Sequence, residues 1–232
     1  MPVNHNVLIV SFYTPGYEQD AEMFRETLEM HGMRHHIEKL PSYGDWYDNT
    51  RRKPEFIEAM LIGHRRGGVM WIDCDAFIHR PFNDYLATMK RNPVDFACHW
   101  FKKLRMLSGT LYFGNTAKAV ELLRAWQTEN KRRLDDGDRE GGGQKNLWRV
   151  YDRGVVSDLN EVKLPGRFCW IAYKEWAYLP EDNLNPVIEH TIASRHNRGD
   201  VRYPRIMAER EKRVLYLKRL LENKKLVIRQ NA

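Results

Sequence analysis

The chain has 232 residues, 42% of them hydrophobic, enough to bury a sizeable core without disulfide staples. Mean hydropathy is −0.66, and no apolar run approaches the roughly 20 residues that span a bilayer, which excludes a membrane-spanning helix. Three cysteines (Cys74, Cys98, Cys169) with no CxxC pair exclude a disulfide scaffold and a zinc ribbon. The net charge of +7 sits at one end: residues 201–232 hold ten basic and three acidic residues, whereas the first 200 carry 28 of each sign. Such a tail seeks anions without specifying which. The start, Met1 to Asn6, lacks the charged-then-apolar layout of a secretory signal, so a soluble cytoplasmic protein is expected.

In chain order, Asn6 to Phe12 is a short β-branched apolar run stopped by Thr14-Pro15-Gly16, a buried first strand followed by a loop. Tyr17 to His31 carries Ala21, Phe24 and Leu28 at helical spacing, with Gly32 as its C-cap. His35 to Leu40 reads as a second strand and Pro41 to Arg52 as a loop. Lys53-Pro54 opens a helix in which Phe56, Ile57, Met60 and Leu61 share a face. Gly68 to Ile72 is the unbroken apolar run of a strand buried on both sides. Strand alternating with helix over these residues predicts an α/β protein with a mostly parallel central sheet flanked by helices.

Val94–Cys98 and Gly109–Phe113 are further strands, and Ala117 to about Asn130 is a helix burying Val120, Leu122, Leu123 and Trp126. Arg132 to Gly143, charged and closing on three glycines, reads as a mobile surface loop. Met207 to Lys224 is an amphipathic basic helix. The expected organisation is a catalytic-type domain over 1–200 and a basic helical tail over 201–232, packed on the domain or extending from it.

The sharpest chemical signal is Trp71-Ile72-Asp73-Cys74-Asp75. Strand alternation would send Asp73 and Asp75 to one side and Cys74 to the other. Two carboxylates this close repel, and a divalent cation removes the conflict. In an open α/β sheet ligands bind beyond the carboxyl ends of the strands, where this pair falls. Oxygen ligands favour Mg²⁺ or Mn²⁺, which keep positions open for phosphate oxygens. As a bare tripeptide Asp-X-Asp is equally a turn signal; the apolar strand before it favours the site.

Val69 to Ala76 resembles the DXD segment of glycosyltransferases of the GT-A fold, the Rossmann-like nucleotide-diphospho-sugar transferases. Val7 to Ser11 with Tyr13-Thr14 resembles their nucleotide-binding first strand and loop. Trp46 to Asn49, Lys53-Pro54 and Phe56-Ile57 resemble the segment entering the helix before the DXD strand. Ser108 to Phe113 with Asn115-Thr116 resembles the strand after it, where donor sugar and acceptor meet. Gln144, Asn146 and Leu147 resemble a late helix, and Ile188-Glu189-His190 a late strand whose His completes the metal site. Much of the family has Asp where this chain has Gly143.

The resemblance implies transfer of a hexose from a nucleotide-diphosphate sugar, UDP-sugar favoured, to an acceptor hydroxyl. It implies Asp73 and Asp75 as catalytic, with Gln144 on the acceptor side. The metal, Mn²⁺ or Mg²⁺, would be held by Asp75, Asp73 and His190. Tyr13, Thr14, Lys53, Asp73, Ser108, Gly109 and Arg195 would bind the donor, with Ser194, His196 and Arg198 near its diphosphate. A neutral imidazole is a common metal ligand, and Arg forks match phosphate geometry. Ser108-Gly109 would let backbone approach a sugar closely.

Trp46, Trp100 and Trp170 are the tryptophans near the proposed loops, and Phe101 to Arg105 is a basic aromatic patch suited to an anionic acceptor. The acceptor is open: the basic tail permits DNA carrying a hydroxymethylated pyrimidine, and equally a protein, glycan or lipid head group. Asp95, Glu140 and Asp158 are available as bases. Two other readings stand beside this one: a non-catalytic nucleic-acid-binding α/β protein, and a metal-dependent nucleotidyl- or phosphotransferase, the latter disfavoured by the absence of a GxxxxGK[ST] loop.

Overall fold

A computed structural model describes residues 6–64, 67–138, 142–171, 185–194 and 204–230. Its centre is a six-stranded sheet in the order β2-β1-β3-β6-β5-β7. β1 (Leu8–Tyr13) runs parallel to both β2 (His35–Lys39) and β3 (Val69–Ile72). β6 (Arg105–Phe113) is antiparallel to β3 and to β5 (Phe96–Phe101), and β7 (Glu161–Lys163) is parallel to β5. The sheet is therefore parallel on the β1 side and mixed beyond β3. β4 (Ala76–Ile78) leaves it to pair antiparallel with β8 (Ile188–His190).

The apolar runs of β1 and β3 follow from burial on both faces. Ile9, Met70 and Ile72 enter one core together with Phe24 and Leu28 of α1 (Glu18–Met30) and Leu86 and Met89 of α4 (Asn83–Arg91). Val10, Val69 and Trp71 enter the other, with Phe56, Ile57 and Leu61 of α3 (Lys53–His64), Leu122, Leu123 and Trp126 of α5 (Ala117–Asp135), and Leu147 and Val150 of α6 (Gly142–Asp152). Each fully buried Leu, Ile or Phe contributes about 2 kcal/mol, so the two cores hold the three layers together.

Two expectations for loops are corrected. Residues 46–51 form a short helix, α2 (Trp46–Arg51), held by an Asp45 capping box: Asp45 Oδ1 accepts from the Tyr47 and Asp48 amides, and Asp48 Oδ2 accepts from the Asp45 amide. Residues 132–143 are not a loop throughout. α5 continues to Asp135 because Arg132 pairs with both Glu129 and Asp136, and α6 begins at Gly142.

The basic end forms α7 (Pro204–Gln230), which lies against α1 and β4 through Leu217 and Leu221 packed on Met23 and Phe77. Several of its cations are tied to the body: Arg210 to Asp20, Arg213 to Glu189, and Lys225 to Glu26. Among the described residues no helix is long and apolar enough to cross a membrane.

Candidate active site

The chain passes from β2 on one side of β1 to β3 on the other, so the strand order reverses there and a crevice opens beyond the carboxyl ends of β1 and β3. A cleft of about 610 Å³ occupies that position. Tyr13 and Thr14 reach it from the end of β1, Lys53 from the start of α3, and Asp73 and Asp75 from the turn after β3. Ser108 and Gly109 of β6 and Gln144 of α6 form the facing wall. His190 lines an adjoining chamber of about 200 Å³ that shares Asp73, Asp75, Gly109 and Gln144 with the cleft. The residues expected to act in catalysis or to hold the metal and donor thus converge, except Arg195, which with His196, Arg198 and Glu140 lies outside the described residues.

The Asp-Cys-Asp segment is a turn, which corrects the expectation of alternating strand faces. β3 ends at Ile72 and the Ala76 amide donates to the Asp73 carbonyl at 3.1 Å, closing a reversal that sends β4 toward β8. Cys74 consequently lines the cleft beside both aspartates. Burial, reinforced by the two carboxylates, pushes its thiol well above the usual range.

Each carboxylate has its own partner. Asp73 Oδ1 accepts from Lys53 Nζ at 2.6 Å and from the Trp71 indole N–H at 2.7 Å. Lys53 is buried to 8% exposure, its amine held over the Trp71 ring. Asp75 Oδ2 accepts from the Ala193 amide at 2.7 Å, while Oδ1 faces His190 Nδ1 at 3.7 Å. Burial alone would raise the Asp75 pKa; His190, the Ala193 N–H and Arg210 outweigh it and hold it below the ordinary value. Burial alone would lower that of His190, and Asp75 and Cys169 beside it raise it instead.

Thr110 decides which way the imidazole points. Its hydroxyl donates to the Phe168 carbonyl at 2.9 Å, so its oxygen accepts from His190 Nε2, also at 2.9 Å. With Nε2–H committed to Thr110, Nδ1 is the ring nitrogen turned toward Asp75, and the raised pKa means that it carries a proton there which a bound cation would displace. Among the described residues no three His, Cys, Asp or Glu side chains gather as a ready-made metal centre. Asp75 and His190 form a facing oxygen–nitrogen pair with Asp73 on the same wall, a donor set that suits a cation completed by substrate phosphates.

The local backbone serves this arrangement. The β5–β6 ladder shifts register after Cys98: Cys98 pairs with Leu111 but His99 with Leu107, so Ser108, Gly109 and Thr110 form a bulge aimed at the site. A Cβ on Gly109 would stand 3.1–3.4 Å from the His190 ring atoms. Gly143 also has a structural reason: a Cβ there would meet the Thr50 carbonyl at 2.8 Å, so no side chain fits where the resembling family has Asp. Next to it, Gln144 Oε1 accepts from the Ser108 amide and hydroxyl at 3.2 and 3.3 Å. Ile192, at φ 56°, turns the chain so that Thr191 and Ala193 both donate to Asp75.

Trp46 lines the cleft, whereas Trp100 donates to Glu161 and Trp170 lies against Arg213 and His79. Asp95 caps Asn160 and Asp158 bonds Lys118 through its carbonyl, and neither lines either cavity. Sequence reasoning missed Trp71 and Thr110 as partners of Asp73 and His190, since both read as strand core.

No protein-family model and no curated protein matches the sequence. Among solved structures the chain is similar to a glycosyltransferase involved in the glycosylation of the major capsid of PBCV-1, with a TM-score of 0.61 and 15% identity over 84% of this chain and 97% of that one. At that identity the likeness is one of fold, and it agrees with the GT-A architecture expected from the resemblance.

Proposed function

We propose that the chain is a glycosyltransferase moving a hexose from a nucleotide-diphosphate sugar, a UDP-sugar by preference, to an acceptor hydroxyl. The observation that carries this reading is the meeting of Asp73, Asp75 and the adjoining His190 at the switch-point crevice. In the reaction the acceptor oxygen bonds to the anomeric carbon. The bond from that carbon to the diphosphate oxygen breaks, its electron pair leaving with the nucleoside diphosphate, and the hydroxyl proton is released.

Mn²⁺ or Mg²⁺ fits the donor set of Asp75 and His190, with Asp73 beside them, and when bound supplies Lewis-acid stabilisation of the leaving diphosphate. Lys53, already at Asp73, is placed to share its charge with a phosphate oxygen. Thr110 occupies Nε2 of His190, so Nδ1 is the atom that would ligate the cation once its proton is displaced. Tyr13 and Thr14 at the end of β1 border the nucleotide end, and Ser108, Gly109 and Gln144 the sugar, with Arg195 a further diphosphate contact. DNA as acceptor through the basic tail is less favoured, because Arg210, Arg213 and Lys225 hold α7 to the body.

A thermal-shift screen of UDP, GDP and ADP with and without Mn²⁺ tests the reading. A site ligand at a hundredfold over its Kd stabilises by about 2.7 kcal/mol. A cation-dependent shift with one diphosphate, lost in Asp75→Ala, is expected; no shift with any diphosphate would overturn the proposal. Retention of duplex DNA at low salt, falling steeply with added salt, would restore the DNA reading.

A further inference from the structure

The chamber beside the cleft has a wall of its own, Phe101, Leu107, Cys169, Ile171 and His190, beyond the residues it shares with the cleft. Apart from the aspartates, Gly109, Gln144, His190 and Ser194, its wall is apolar, with Phe101, Leu107, Cys169, Ile171 and Ile192, and it holds one arginine, Arg105, which also lines the main cleft. Asp73 and Asp75 are engaged by Lys53 and His190, and among the described residues no carboxylate lies within ion-pair distance of Arg105. Arg105 is exposed, and its planar guanidinium, set against this apolar wall, offers a fork to an external anion.

The hairpin that carries Arg105 points the same way. The turn between β5 and β6 consists of Lys102, Lys103 and Leu104, closed by the Leu104 amide donating to the Phe101 carbonyl at 3.0 Å. Lys102 and Lys103 adopt φ of 49° and 60°, a left-handed conformation that Gly or Asn would enter with less strain. Both side chains are exposed, adding two cations to the turn that leads into Arg105. Two successive positive φ values closed by this bond are the geometry of a tight hairpin turn, which here sets two cations next to Arg105 in the chain.

We propose that this chamber binds an anionic acceptor, a sugar or polyol bearing a carboxylate or phosphate. Arg105 grips the charged group while the acceptor's apolar face lies on Phe101, Leu107 and Ile171. The inference rests on the glycosyltransferase reading and adds the acceptor's chemical class.

The test is an NMR titration of the whole protein, loaded with diamagnetic Mg²⁺ and UDP or GDP, with three probes: methyl glucoside, methyl glucuronide and glucose 6-phosphate. The charged probes are expected to bind about tenfold more tightly than the neutral one, as a charge-assisted hydrogen bond warrants. Arg105→Gln should abolish that preference, and Arg105→Lys should keep part of it, with nucleotide affinity unchanged in both. The glucuronide and phosphate arms separate a carboxylate acceptor from a phosphorylated one. Equal binding of all three probes by the wild type, or a matching loss of nucleotide affinity in Arg105→Gln, would overturn the inference alone. Failure of both nucleotides to bind the wild type would remove the glycosyltransferase reading and this inference with it.

Discussion

Arg213 holds Glu189 through two parallel charge-assisted bonds, Nε to Oε1 at 2.7 Å and the terminal nitrogen to Oε2 at 2.8 Å. Glu189 is fully buried and adjoins His190 in β8, and His79 is its second partner at 2.8 Å. On the far side of His190, buried Arg210 donates to the Thr191 carbonyl at 3.1 Å and to Asp20 at 2.6 Å. The C-terminal helix thus grips both sequence neighbours of the site histidine. Arg213→Ala leaves a buried carboxylate short of its strongest partner and is expected to destabilise by about 3 kcal/mol. It should also weaken Mn²⁺ binding, measured by titration under conditions where the variant is folded. Arg213→Lys should recover part of the stability but less of the metal affinity, because an ammonium lacks the fork.

Gly109→Ala tests the packing of the site more gently. The new methyl would sit 3.1 Å from His190 Cε1 and 3.3 Å from Nδ1, tighter than ordinary contact. His190 is fixed from the other side by Thr110, so the ring has little room to yield. The variant is expected to fold with a loss of about 1 kcal/mol by urea denaturation. Transferase turnover and Mn²⁺ affinity should fall about tenfold, as a small displacement of a ligand atom warrants. Unchanged metal affinity would show that His190 is not a ligand.

How far the sequence announces this site depends on what each residue owes to its neighbours in the chain. β1 and β3 are readable because burial on both faces demands unbroken apolar runs, and α1 and α3 because one face repeats at helical spacing. Asp73 and Asp75 stand out through their strand, although they lie in a turn. α2 escapes notice because six residues held by the Asp45 capping box need no apolar stripe. β4 and β8 are three residues each and pair across more than a hundred positions, Ala76 with His190, so nothing local marks them. The bulge at Ser108–Thr110 arises from strand pairing, and the Thr110 contact with His190 follows from the fold alone. Resemblance to a family, and not periodicity, pointed to His190 and Gln144.

Glu129 offers a pH readout away from the cavities. It is buried in α5 and bonded by Arg132, Arg133 and Arg153. The Arg132 hydrogen bond first, then those of Arg153 and Arg133, outweigh burial and lower its pKa from 4.5 to about 2. A carboxyl depressed in the folded state contributes stability that is fully present above its unfolded value and is lost as pH falls through the folded one. Because Arg132 and Arg153 are about half exposed, solvent screening limits the contribution to about 1–3 kcal/mol. Glu129→Gln should therefore destabilise by that amount at neutral pH in urea titrations. The gap from wild type should shrink below pH 4.5, with more than half gone by about pH 3. A gap independent of pH would mean that the variant loses packing and not charge.

Lys53→Met separates a structural lysine from one that meets the donor. Lys53 Nζ is 2.6 Å from Asp73 Oδ1, and Met keeps most of the aliphatic stem packed while removing the charge. Asp73 retains the Trp71 indole N–H and its side chain is 34% exposed, so water can take the place of the ammonium. The stability loss is accordingly expected to stay near 1 kcal/mol. If Lys53 also stabilises the departing diphosphate, affinity for the nucleoside diphosphate should drop about tenfold by calorimetry, the worth of one charge-assisted bond. Turnover should fall by more than binding does, because negative charge on the leaving group grows toward the transition state. A variant that binds and turns over like the wild type would confine Lys53 to holding Asp73 in place.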